Sequence, residues 1–392
     1  MSPLRRRVAA ALGAASLLSS CAPRDFLDEA AIPSAPRTFP RAYRTATVRL
    51  AGGHFEAQAP ATAVPRLAGA SFSWPLGARE LRCDVHPDPW TLATQVQGKV
   101  RDLALHEPIG RVSAVVRLGP SGRPYLVAEA VYGRGDDKRL AQFGAFGSSE
   151  GTVVCATEGA SRVVEVLAVI EALAESQRWS EESAREPPAY AETSLVYLGE
   201  TAVGFEYRYL RPRGPRGLAW FKIRGLTGHA GEAALSAIDD VTIEHLDDDR
   251  NVREARVLLV SDGHRTYDLT VAREPDGSLS AHGSLAGRAV ERVLPSDRPI
   301  GSDLSLAPEL RVLAAGISGR VAVRRLVIEG TQLRVADDAY TKSADGRVLG
   351  PGGNRVLVDE LGLVHRVEEL EPGETAALRI DRVSRRGAIP AR

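Results

Sequence analysis

From residue 191 to 383 the chain is a succession of short apolar runs, among them "SLVYLG", "VGFEYRYL", "GLAWFKIR", "REARVLLVS", "RTYDLTVAR" and "VAVRRLVIEG". Turn residues separate them, including the Asp-Gly pairs Asp262-Gly263, Asp276-Gly277 and Asp345-Gly346, which favour tight reversals. Strands joined by tight turns pair as antiparallel neighbours. Only "APELRVLAAG" (307 to 316) has helical texture. The expected architecture for 191–383 is therefore a mostly antiparallel sheet curved into a half-barrel or open barrel, with one helix in its mouth.

The preceding region, 43–180, has a different texture. "RTATVRLAG" and "ARELRCDV" alternate as strands, and "RVSAVVRL", "GPSGR", "PYLVAEAVY" form a hairpin around a Gly/Pro/Ser turn. Leu92, Val96, Val100 and Leu103 fall on one helical face. A second helix is expected over 161–177, where Val164, Leu167, Ile170 and Leu173 repeat every three residues. The fold class is α+β, with an N-terminal antiparallel sheet covered by two helices. The polar stretch 181–190, containing Pro187-Pro188, marks the boundary between the regions, and 384–392 is a tail.

The chain opens with Arg5-Arg6-Arg7 and the apolar run Val8 to Leu18, a basic segment and hydrophobic segment of secretory type, too short to span a bilayer. Leu18-Ser19-Ser20-Cys21 follows and resembles the lipobox of bacterial lipoproteins. That resemblance implies cleavage after residue 20 and acylation of Cys21, by chains such as palmitate. Two or three chains anchor stably where one binds reversibly. Ala22 stands where the family's inner-membrane retention signal places Asp, which points to the outer membrane. Residues 21–42, with Pro23, Pro33, Pro36 and Pro40, read as a lipidated tether.

Region 193–383 is also similar, at the level of fold, to Lol-type envelope carriers built as a half-barrel of antiparallel strands around a helix. The residues that carry this are "VYLGETAVGFEYRYL" (196 to 210) and "VLVDELGLVHRVEEL" (356 to 370). The resemblance implies a concave sheet face that receives an apolar ligand or a partner protein.

Net charge is 0 for the whole chain and −3 once Arg5, Arg6 and Arg7 are removed, which gives no electrostatic basis for nucleic-acid binding. Aromatics at 5% argue against stacking platforms for carbohydrate or single strands. With Cys21 assigned to lipid, Cys83 and Cys155 remain. In an oxidising envelope they form one disulfide; a redox pair, without any Cys-x-x-Cys, and two separate buried thiols are the alternatives.

Asp84, His86 and Asp88 alternate in "CDVHPDPW" as metal ligands would, but Pro87 and Pro89 favour a turn leading into the Trp90 helix, with Asp88 near its N-terminus. Asp247, Asp249 and Asn251 begin a calcium-loop pattern that fails at Val252 and Leu258. Nucleophile elbows, Ser-x-x-Lys and His-Glu-x-x-His are missing from the sequence, and "GPGGN" (350 to 354) lacks the Lys and helix of a phosphate loop. His264, His282 and His365 lie in or beside strands without an assignable partner, and Arg134-Gly135-Asp136 reads as a hairpin turn.

The expectation is a non-enzymatic cell-envelope lipoprotein that binds a lipid, another apolar ligand or an envelope-protein partner, with no cofactor or metal. An envelope hydrolase assembled from distant residues and a purely structural protein are the alternatives.

Overall fold

The computed structural model describes residues 43–390 apart from 51–52, 62, 77–78, 160–162, 181–187, 213–216, 232, 330 and 370–377. The signal segment, Cys21, the tether and most of the 181–190 linker lie outside the described residues. No helix among the described residues is long and apolar enough to cross a membrane.

The first region contains β1 (Tyr43–Leu50), β2 (Gly53–Pro60), β3 (Arg66–Ala68), β4 (Ser71–Leu76), β5 (Arg79–His86), α1 (Leu92–His106), β6 (Ile109–Leu118), β7 (Pro124–Tyr132), β8 (Arg139–Ser148), β9 (Gly151–Glu158), α2 (Val163–Ser176) and β10 (Arg178–Trp179). Seven strands form an antiparallel sheet in the order β3-β4-β5-β9-β8-β7-β6, and β1, β2 and β10 form a small separate sheet. Period-2 alternation divides the seven-stranded sheet into two apolar faces. Leu126, Ala128 and Ala130 of β7 pack with α1, while Tyr125 and Val127 pack with α2 and the small sheet. The two helices expected from sequence therefore cover opposite faces.

Cys83 of β5 lies directly opposite Cys155 of β9. They form a disulfide, with both residues fully buried.

The second region contains β11 (Tyr190–Leu198), β12 (Thr201–Pro212), β13 (Leu218–His229), β14 (Leu235–Leu246), β15 (Val252–Ser261), β16 (His264–Arg273), β17 (Leu279–Leu285), β18 (Arg288–Leu294), α3 (Asp303–Ala315), β19 (Gly319–Glu329), β20 (Gln332–Lys342), β21 (Val348–Leu349), β22 (Arg355–Val358), β23 (Val364–Glu369) and β24 (Leu378–Gly387). These strands form one antiparallel sheet of 14, ordered β18 back to β11, then β24 back to β19. The sheet is not closed into a barrel. Its last strand runs to Gly387, past the boundary at 383 read from the sequence. Asp262 and Gly263 both have positive φ, 51° and 78°, the conformation a two-residue reversal between β15 and β16 requires.

Helix α3 joins the two edges of the sheet. It begins at Asp303, earlier than "APELRVLAAG" suggests, because Ser302 and Ser305 form a capping box ahead of that stretch. Gly362, at φ 85°, lies against the α3 backbone, and a Cβ there would overlap the Ala307 carbonyl.

The apolar core is continuous across the two regions. Leu92, Val96 and Val100 of α1 share one cluster with Tyr207, Phe221 and Val241 on the convex face of the large sheet. The N-terminus of α1 is capped across that interface. Thr91 supplies no side-chain cap; instead the fully buried Asp239 of β14 accepts from the backbone of Ala93 (3.0 Å) and Thr94 (2.7 Å) and from the Thr94 hydroxyl (2.7 Å). Gln97 adds bonds of 2.7 Å to the Leu235 carbonyl and to Asp262. Asp88 does not cap the helix and pairs with Arg265 at 2.6 Å.

Burial pushes the Asp239 carboxyl from 3.8 up to about 7, against the three hydrogen bonds that favour its charged form. Its folded-state value thus exceeds the unfolded one, so this contribution to stability is full below pH 3.8 and is lost as pH rises through about 7. Asp239→Ala orphans two helix donors, and an expected loss of about 1–3 kcal/mol in urea unfolding follows. The gap between wild type and variant narrows as pH rises across that window; a gap independent of pH would contradict the assignment. Replacing both Cys83 and Cys155 by alanine is expected to cost about 4 kcal/mol in the chain-entropy account, read as a lower urea midpoint than the oxidised protein; equal midpoints would contradict it.

Candidate functional site

The concave face of the large sheet encloses a cavity of about 530 Å³ beneath α3, within the range of about 300–1,000 Å³ usual for ligand sites. Its floor follows from strand alternation. On β12 and β13, Tyr207, Tyr209, Phe221 and Ile223 turn to the convex core, so Glu206, Arg208, Lys222 and Arg224 turn inward and line the cavity. On β14, Asp240, Thr242 and Glu244 do the same, while Asp239 turns outward to cap α1.

Strand register sets these charges side by side. Arg224 lies opposite both Glu206 and Asp240, and Arg208 lies opposite both Glu192 and Lys222. Arg224 forks onto Glu206 Oε2 at 2.6 and 3.1 Å. Arg208 Nε meets Glu192 at 2.7 Å and Glu206 at 3.3 Å, and its Nη2 donates to the Val364 carbonyl at 2.6 Å. Lys222 contacts Glu244 Oε1 at 2.5 Å. Beyond Glu192 the network continues through Tyr190, whose hydroxyl donates at 2.6 Å, and through Arg382, which binds Glu192 at 3.0 Å and Asp359 at 2.6 Å.

Helix α3 contributes Asp303 from its first turn. Its Oδ2 accepts from Trp220 Nε1 at 3.2 Å and lies 3.9 Å from Arg208. A carboxylate at this position also meets the positive end of the helix.

Burial opposes the charges on Glu206, Asp303, Asp240, Glu244, Lys222 and Arg208, and the neighbours decide the outcome. Burial is overcome at Glu206, which Arg224 and Arg208 hold below the usual carboxylate range, and at Asp303, which Lys222 and Arg208 lower. Burial prevails at Asp240 and Glu244, both raised, with Glu206 adding to the first and Asp303 to the second. Lys222 and Arg208 are both raised despite burial, by Asp303 and Glu244 and by Glu192 and Glu206 respectively, and stay charged.

The opposite wall is apolar. Val257, Val271 and Leu279 from β15–β17, Val323 and Leu326 from β19, and Leu310 of α3 line it. Charge and hydrocarbon therefore meet within one concavity.

Of the histidines singled out in the sequence, His365 lines the cavity and His264 and His282 are exposed. Burial lowers the His365 imidazole, with Arg382 adding to the effect. Asp84 pairs with Lys99 at 2.5 Å, beside Ser71 at 2.6 Å, and Asp88 pairs with Arg265, so both carboxylates of the Asp84-His86-Asp88 triplet are engaged by protein partners. Asp247 accepts from the Asn251 backbone in a turn. No group of three or more metal-ligating side chains converges among the described residues. Arg134-Gly135-Asp136 and "GPGGN" are turns, between β7 and β8 and between β21 and β22. Comparison with protein-family models, curated proteins and solved structures found no match.

The ionic floor was not recognised in the sequence, although "FEYRYL", "FKIRG" and "DDVTIEHL" carry its signal: charge on every second residue of a strand, interleaved with aromatic or aliphatic ones. Arg208→Met leaves the buried Glu192 without its 2.7 Å partner. The expected loss is about 3–5 kcal/mol in urea unfolding, with partial rescue by Lys, which lacks the guanidinium fork; a neutral effect would show that the network is dispensable.

Proposed function

We propose that this protein is a non-enzymatic cell-envelope lipoprotein, held at the outer membrane by acylated Cys21, whose half-barrel binds an amphiphilic ligand. The observation that carries the reading is the two-sided cavity of about 530 Å³, with an ionic floor on β12–β14 joined by Asp303 of α3, and an apolar wall of Val257, Val271, Leu279, Val323, Leu326 and Leu310. A purely apolar ligand would strip water from the floor's charges without replacing it. A purely polar ligand would leave the hydrocarbon wall wet. An amphiphile satisfies both.

The test is native mass spectrometry of a soluble chain, 22–392, which lacks the acylated Cys21 and keeps every described residue, exported behind a cleavable secretory signal and purified from the periplasm without detergent. A co-purified amphiphile, released by solvent extraction, is the expected result. A clean apo mass, together with no uptake of an environment-sensitive fluorescent amphiphile, would overturn the reading.

A further inference from the structure

The floor of the cavity has more carboxylates than cations. Glu206, Asp240, Glu244 and Asp303 face Arg208, Lys222 and Arg224. Two of the cations are largely committed: Arg224 forks onto Glu206, and Arg208 is shared between Glu192 and Glu206. Lys222 serves Glu244 through Oε1 alone. Elsewhere in the lining, Arg325 is paired with Asp338 and Arg366 with Glu368 and Asp381, and Arg253 is exposed at the rim.

The shortfall concentrates beside Trp220. Glu244, directly opposite Trp220 in the sheet, is 9% exposed at its side chain, and its Oε2 is buried without a hydrogen-bond partner. Asp303 accepts the Trp220 N–H at 3.2 Å and lies 3.9 Å from Arg208, and it shares the Lys222 charge with Glu244. Leaving a buried carboxylate oxygen without a donor is costly, so a ligand that brings a donor here recovers that cost. Asp240 lies four residues along β14 from Glu244, about 13 Å away, and belongs to a separate part of the floor.

The geometry points to a cationic end on the bound amphiphile, an ammonium or guanidinium seated between Glu244 and Asp303 with its hydrocarbon on the wall of Val257, Val271 and Leu310. An organic cation suits the site better than a metal ion, since three ligating side chains do not converge among the described residues. An ammonium, by contrast, needs only separate acceptors for its N–H groups. An anionic end would meet two carboxylates instead. This inference rests on the amphiphile-binding reading above and adds the sign of the ligand's charge.

The experiment is isothermal titration calorimetry of the soluble chain 22–392 with decylammonium, decanol and decyl sulfate, each below its micellar concentration. Decylammonium is expected to bind at least about ten-fold more tightly than either of the others, the scale of one charge-assisted hydrogen bond. Glu244→Gln and Asp303→Asn are each expected to shrink that preference several-fold, while Glu291→Gln on the exposed β18 leaves it unchanged. Decanol or decyl sulfate binding as tightly as decylammonium overturns the cationic end while leaving amphiphile binding intact. Binding of none of the three overturns both. If a cavity variant also loses decanol affinity it is misfolded, and the wild-type ranking of the three probes then decides alone.

Discussion

The structure depends on one act of burial: the convex face of the 14-stranded sheet is covered by helix α1. Tyr207, Tyr209 and Phe221 would otherwise form an exposed aromatic patch, and such patches drive association. Asp239 fixes the helix at its N-terminus and Gln97 one turn further on. A helix capped by a carboxylate 145 positions away can take its final place only when both regions are folded. The two regions, distinct in sequence texture, are thus one cooperative unit at this interface.

Covering the convex face also determines the character of the concave one. Side chains on a strand alternate, so aromatic and aliphatic residues committed outward leave the intervening positions inward. Those positions hold ions, and ions under a helix must be paired. The cross-strand register supplies most of the pairing: Glu192 with Arg208, and Arg224 with Glu206. The part it leaves unpaired lies next to Trp220 and the start of α3. On β12–β14 the sheet consequently presents charge to the cavity and hydrocarbon to its other surface, the reverse of a sandwich strand with water outside and oil within.

Much of the fold was legible because its signals are local. Val96 and Val100 announced α1, Val164 and Leu167 announced α2, Asp262-Gly263 announced a hairpin, and the strand-on-strand texture after residue 190 announced the large antiparallel sheet. What escaped depends on partners far away in sequence. Asp239 and Asp240 are neighbours in sequence, yet one caps a helix and the other lines a cavity, a difference set by which face of β14 each occupies. The start of α3 at Asp303 was hidden because the helical texture read from the sequence begins at Ala307, whereas the Ser302–Ser305 box lies upstream of it. Only the strand period could have exposed the ionic floor, and it does so only when β12, β13 and β14 are read together.

The pairing of β11 with β24 has a consequence for the order of events during synthesis. These adjacent strands are the first and last of the sheet in sequence, so the seam between its halves joins Tyr190 to Gly387. Each half can assemble from neighbouring hairpins as it emerges, but the seam waits for the final residues of the chain. The Glu192–Arg382 contact, spanning 190 positions, belongs to the last event. Long-range closure of this kind is slow, and until it occurs two unpaired strand edges lie open to other chains. A nascent or truncated polypeptide that ends before residue 378 therefore retains two half-sheets with a sticky border where the finished protein has an interior.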